Sequence, residues 1–159
     1  METTEARKYF DAILDYAFDI AYVRDLGENH VEFLYVQCAR VAEAFPDIRP
    51  QLLDDIERSL AAQRVIDVDT KNRPEGFISF AFVCFLAHRT RWPEFEEIAE
   101  RLSTHPNDVS RANPLYRLSV TLREALSNDW EDAEFYSSFS SSHAWPNYSL
   151  KRTDQSLRD

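Results

Sequence analysis

One cysteine and one histidine have the spacing of a small chemical site. Cys84 and His88 are four residues apart in a helical stretch, so their side chains share one face. Such a pair could begin a zinc site or act as a thiol nucleophile with its base. However, Cys84 lies within the apolar stretch 80–86, whereas a nucleophilic thiol needs an electropositive, partly exposed pocket. No metal-binding spacing links the pair to the remaining candidates, which are Cys38, His30, His105 and His143. We therefore expect core packing here and no metal ion.

Paired carboxylates are the second pattern that chemistry could use. They occur at Asp54-Asp55 and Glu96-Glu97, but neighbours in a helix point about 100° apart and do not converge as a general acid and base would. No phosphate-binding loop, dinucleotide fingerprint, zinc-protease motif or nucleophile elbow occurs. The sequence thus predicts no catalytic residue, no cofactor and no enzyme. An alternative is a site assembled from distant helices around His88, Arg91 and Glu97.

Three aspartates form an acidic stripe in the first helical stretch. Asp11, Asp15 and Asp19 recur every four residues, so they stack on one helix face. Like charges at this spacing destabilise a helix by a few tenths of a kcal/mol per pair. The stripe can be a solvated face opposite the apolar residues of the same helix, or an acidic surface kept for a basic partner. We take the three aspartates as candidate partner-binding residues.

A second acidic cluster spans residues 129–136 and contains four acids among aromatic residues. The acids can simply match the dipole at the start of a short helix, with the aromatics covering the core. Alternatively the segment is a contact surface, because Tyr and Trp dominate the binding energy of many interfaces. The candidate partner-binding residues of this cluster are Trp130, Glu131, Asp132, Glu134 and Tyr136.

The overall charge narrows the class of partner. The chain of 159 residues has 28 acids against 18 lysines and arginines, a formal net charge of −10. Residues 1–70 hold 15 acids and 7 bases, so most of the net negative charge is in this part. Such a balance argues against direct nucleic-acid binding, which needs clustered positive charge, and suits one basic protein partner.

Segments for secretion or membrane insertion are not expected. The longest apolar run, at residues 76–87, is too short to cross a bilayer. No secretory signal opens the chain, and two cysteines cannot form a disulfide framework. The expected location is the cytoplasm, with both thiols reduced and no membrane contact.

Helical spacing of apolar residues dominates the chain. Only two glycines are present, so the tight turns of a β-rich fold would be hard to close. The sequence predicts an all-α fold of about seven helices around a central apolar helix, the fourth. Their approximate ranges are 4–25, 29–44, 47–67, 74–89, 93–103, 113–127 and 130–138. We expect one domain over residues 1–145 and a polar tail over 146–159.

A repeated sequence motif bears on how the helices are arranged. An aromatic residue, a proline, a polar residue and an apolar residue recur at 45–48, 92–95 and 145–148. A spacing near 47 residues with two helices per unit is typical of stacked helical hairpins of the HEAT type. An ordinary irregular bundle is the alternative, since aromatic-Pro pairs often start helices.

In size, acidity and helical type the whole chain resembles the bacterial immunity proteins of toxin–immunity pairs. The segment 129–136 is the local feature that we associate with them. The resemblance implies a protein-binding inhibitor that neutralises a cognate basic toxin by covering its functional surface. A helical-repeat adaptor that holds two proteins together is the alternative.

Overall fold

The computed structural model describes residues 2–62, 69–104, 114–127 and 130. These residues contain α-helices and no β-strand, which confirms the all-α prediction. The described residues contain six α-helices, against about seven predicted for the whole chain: α1 (Thr3–Phe18), α2 (Glu32–Ala44), α3 (Arg49–Ala62), α4 (Phe80–Thr90), α5 (Glu94–Ser103) and α6 (Pro114–Ala125). The predicted seventh helix has only Trp130 inside the described residues, and Trp130 is not helical. The proposed tail over 146–159 also lies outside them.

The described residues group into two compact units. Unit 1 contains residues 2–49 and 69–74, and unit 2 contains residues 50–62, 75–104, 114–127 and 130. In unit 1, α1 packs against α2 and against a 3-10 turn at Pro46–Ile48. In unit 2, α6 packs against both α4 and α5. Consecutive helices thus pair in each unit, while a stacked array of hairpins and a single domain over 1–145 stay predictions.

Apolar stripes at helical spacing build each core. In unit 1 the buried residues of α1 include Ala6, Phe10, Ile13, Leu14 and Ala17, which recur every three or four positions. The predicted central helix, α4, buries a continuous run from Phe82 to Ala87. A helix that is apolar all round must be covered on several sides, so α4 forms much of the core of unit 2.

The start of α4 corrects the predicted boundary, since this helix begins at Phe80 and not at Pro74. Gly76 has a φ of +73°, which an α-helix cannot contain. The Ser79 hydroxyl accepts a hydrogen bond from the Phe82 N–H at 3.3 Å and caps the helix. The preceding segment is fixed to α3, because the Ser59 hydroxyl bonds to the Gly76 carbonyl and the Ile78 N–H.

Helix α1 ends differently from the prediction of a simple stop near Gly27. A π-helical turn at Asp19–Val23 extends it, and Asp25 then takes a left-handed conformation with φ +56°. Gly27 follows at φ +88° and precedes a 3-10 turn at Glu28–His30, so α2 begins at Glu32 rather than at Asn29. The wider π turn changes the direction of the side chains after Phe18.

The remaining boundaries lie near their predictions. Helix α3 begins at Arg49, directly after the 3-10 turn described above, and its predicted end at residue 67 falls outside the described residues. The starts of α5 and α6 follow Pro93 and Asn113 within one residue of expectation. Both described aromatic-Pro turns make the same backbone bond, from Ile48 N–H to Phe45 O and from Phe95 N–H to Trp92 O. The repeated motif is therefore a repeated helix start.

Candidate functional site

The acidic stripe is exposed on α1 and its π-helical extension. We call Asp11, Asp15 and Asp19 the acidic face. Their side chains are 33%, 62% and 39% exposed, respectively. The apolar stripe of α1 is buried in unit 1, and this burial holds the carboxylates at the surface.

A distant arginine bridges two of these carboxylates. The Nη2 of Arg73 donates to Asp11 Oδ1 at 3.0 Å, and its Nε donates to Asp15 Oδ1 at 2.7 Å. Arg73 belongs to an irregular segment, residues 69–74, which we call the strap. Its side chain is only 6% exposed. The guanidinium fork therefore offsets the repulsion between two stacked aspartates from below the surface.

A second arginine lies beneath the acidic face. The Nε of Arg7 is 3.3 Å from Asp11, and the Arg7 side chain is 10% exposed. Its guanidinium carbon lies 5.7 Å from the centre of the Phe10 ring, within the range of a cation–π contact. Both cations near Asp11 are thus more deeply buried than the carboxylate they neutralise.

Asp19 has a different environment. Its carboxylate is 2.9 Å from the Nε of Arg24, whose side chain is 61% exposed. Both members of the pair face water, so their mutual attraction is weak and screened by salt. Arg24 is accordingly accessible beside Asp19, whereas Arg7 and Arg73 are covered.

Cys38 lies in the core behind the acidic face. Its thiol is fully buried and points at the main-chain carbonyl of Phe10, with Sγ 3.7 Å from that oxygen. Burial raises the pKa of the thiol well above its usual value; Arg73 lowers it and Asp11 raises it by smaller amounts. A buried thiol with a raised pKa is protonated and unreactive at neutral pH.

A polar cluster that the sequence analysis missed joins the π turn to α2. The phenol groups of Tyr22 and Tyr35 both donate to the same oxygen, Glu28 Oε1, the latter at 3.1 Å. The ring of Tyr22 also packs on Phe18, with centroids 5.0 Å apart. The three residues lie in three different elements, namely the π turn, the 3-10 turn at Glu28–His30 and α2, so a pattern within one helix gives no signal for the cluster.

The second acidic cluster lies mostly outside the described residues, which include none of Glu131, Asp132, Glu134 and Tyr136. Trp130 is buried, and its ring lies 5.0 Å from the ring of His88. This placement favours the alternative in which the aromatic residue covers the core of unit 2. The Trp130 side chain is therefore not an exposed residue of unit 2.

The residues of the enzymatic alternative have structural contacts. His88 Nδ1 donates to the Ala125 carbonyl at 2.8 Å, which joins α4 to the end of α6. Arg91, in a left-handed conformation with φ +56°, donates through Nε to His88 O and through its Nη atoms to Leu126 O and Ser127 O. Among the described residues, Glu97 has no contact with either.

A shallow groove of about 550 Å³ follows the outer face of α3 in unit 2. Its lining residues are Gln51, Asp54, Glu57, Arg58 and Ala61. Glu57 is held by a two-pronged ion pair with Arg101, at 2.7 and 2.8 Å. Asp54 is exposed. The groove therefore presents one carboxylate held by an arginine, Glu57, and one exposed carboxylate, Asp54.

Two other kinds of feature are absent from the described residues, a metal cluster and a membrane-spanning helix. Within the described ranges, no three His, Cys, Asp or Glu side chains are close enough to hold a metal ion. None of the described helices has the length and apolar character needed to cross a membrane. Comparison of the chain with protein-family models, with curated proteins and with solved structures gave no match.

Proposed function

We propose that the protein is a binding inhibitor, most concretely an immunity protein. It neutralises a cognate basic toxin that binds directly to the acidic face of this chain. One observation carries the proposal. The carboxylates of Asp11 and Asp15 are presented to solvent, while the arginines that orient them, Arg7 and Arg73, are almost covered. An approaching cation therefore meets these two carboxylates before it meets the arginines that hold them.

Fixed carboxylates favour association with a basic surface. They hold their geometry before the partner arrives, so less side-chain entropy is lost on binding. The charge balance of the chain adds a long-range attraction that speeds encounter with a positively charged protein. We assign the main contacts to Asp15 and Asp19, and place the inhibitor and its toxin together in the cytoplasm.

The test requires a toxin, and the adjacent gene supplies the first candidate. Co-expression of the chain with the product of that gene should restore bacterial growth, and the two proteins should co-purify as one complex. Replacing Asp15 and Asp19 with Asn should weaken binding about tenfold, because each removes an interface charge. Raising the salt concentration should weaken wild-type binding in the same direction.

A matched control separates site from net charge. Asp54→Asn and Glu97→Gln also remove two negative charges, but from exposed positions of unit 2. They should leave affinity unchanged. If the control pair weakens binding as strongly as the α1 pair, the acidic face is not the contact surface. If the adjacent product is neither bound nor neutralised, the immunity function is wrong for that partner.

An adaptor function is the second candidate, favoured by the groove on α3. A groove in unit 2 and an acidic face in unit 1 give the chain two surfaces with different residues. If the chain is an adaptor, two different proteins should co-purify with it in one complex. A variant at Asp54 should release the partner bound at the groove, and a variant at Asp15 should release the partner bound at the acidic face. An immunity protein recovers a single toxic partner, so the composition of the purified complex decides between the two.

A further inference from the structure

The contact between Arg73 and the acidic face has the geometry of a ligand in a site. Two different nitrogens of one guanidinium bond to two different carboxylates, at 3.0 Å to Asp11 and 2.7 Å to Asp15. A lysine ammonium is a point charge and lacks this planar fork. The arrangement therefore selects a guanidinium over an ammonium group.

The two ends of this contact differ in accessibility. The Arg73 side chain is almost fully covered, whereas Asp15 is mostly exposed. A guanidinium arriving from solvent can thus reach Asp15 before Arg73 leaves. The strap that carries Arg73 contains no helix or strand, so lifting it breaks no regular hydrogen-bond ladder.

We propose that Asp11 and Asp15 form a guanidinium-binding site which the chain fills with its own Arg73, and which a partner's arginine can take over. The existence of the site is independent of the proposed function. Its use by a partner's arginine rests on that function. In the free protein the strap acts as an internal competitor, and only a partner that replaces both ion pairs displaces it.

Chemical rescue tests the site without any partner. Arg73→Ala should vacate the site, and methylguanidinium chloride in the low millimolar range should refill it. The readout is the rate at which a maleimide labels Cys38, which lies behind the acidic face. We expect labelling to rise about tenfold in the variant and to return most of the way with methylguanidinium.

Three controls make the rescue specific. Methylammonium chloride at equal ionic strength lacks the fork and should rescue poorly. Cys84, buried in α4 of unit 2, should keep its labelling rate, which separates a local opening from global unfolding. Arg73→Ala combined with Asp11→Asn and Asp15→Asn should label quickly and show no response to methylguanidinium.

Several results would overturn the site. Equal rescue by methylammonium, or equal rescue of the triple variant, would show a general ionic effect. If Arg73→Ala does not fold, Arg73→Gln provides the same test with the aliphatic stem retained. Failure of both variants to fold even with methylguanidinium also contradicts the proposal, because a refilled site should restore the contact. Rescue without any effect of these residues on toxin binding would keep the site and reject its role in the proposed function.

Discussion

The ion pairs of the two units differ in where the positive charge lies. Around Asp11 and Asp15 in unit 1, the cations Arg7 and Arg73 are buried beneath their carboxylates, whereas Arg24 beside Asp19 is exposed. On the outer surface of unit 2, Arg101 pairs with Glu57 and Arg123 with Glu100, and these arginines are 54% and 39% exposed. Similar numbers of charges thus produce two different surfaces.

The difference shows that pairing alone does not remove an acidic surface. Exposed pairs in water present both signs of charge to a partner and stabilise the fold little. A cation beneath the surface is desolvated, so its pairs must be well made, while the carboxylates still face outward. Solvent exposure of the cation therefore decides whether a paired aspartate can still serve as a docking residue.

The largest expected difference between the two surfaces is the loss of folding stability when a buried or an exposed arginine is removed. Arg73→Ala leaves Asp11 and Asp15 stacked without their shared cation and should lower the free energy of unfolding by about 2–3 kcal/mol. Arg101→Ala breaks an exposed pair and should cost less than about 1 kcal/mol. Urea unfolding of both variants measures the difference. Equal losses would show that burial of the cation is irrelevant to stability.

The buried thiol behind the acidic face gives a pH-dependent prediction. Burial raises the pKa of Cys38 in the folded chain, so the native state keeps its proton when the unfolded chain loses it. Stability should be unaffected below about pH 8.5, the ordinary thiol pKa, and should fall above it by up to about 1.4 kcal/mol per pH unit. The measurement is the unfolding free energy of wild type and Cys38→Ala from roughly pH 7 to pH 10. Parallel curves for the two proteins would refute the assignment.

The smallest effect is expected for an exposed pair on unit 2. A double-mutant cycle on Arg123 and Glu100 should give a coupling energy below about 0.5 kcal/mol that vanishes at high salt. The same cycle on Arg73 and Asp15 should give a larger value that survives salt. A large, salt-resistant coupling between Arg123 and Glu100 would erase the distinction between the two surfaces.

Much of the fold follows from local sequence signals. Scarce glycine and helical spacing indicate an all-α chain, and prolines 93 and 114 mark the starts of α5 and α6. The start of α4 is missed because an apolar run can be extended as well as helical, and residues 76–78 belong to the same run as the helix. What keeps residues before Phe80 out of the helix is the positive φ of Gly76 and the contact of Gly76 with Ser59, which is 17 residues away.

The candidate site is predictable only in part. Helical spacing places Asp11, Asp15 and Asp19 on one face from the sequence alone. Arg73, the partner of Asp11 and Asp15, is 58 residues from Asp15 along the chain, so no local pattern connects them. The burial of Trp130 against His88 is likewise a tertiary contact that composition cannot foresee. The sequence predicts which carboxylates share a helix face, and only the folded chain shows which of them are paired with an arginine.

The π-helical turn at Asp19–Val23 makes the junction between α1 and α2 sensitive to chain length. A π turn holds one residue more than an α turn, so deleting a single amino acid there would let the backbone close as an ordinary α turn. The deletion would change the position of Tyr22 relative to Glu28, and the phenol–carboxylate link to α2 should weaken. At this bend the number of residues matters more than which residues they are.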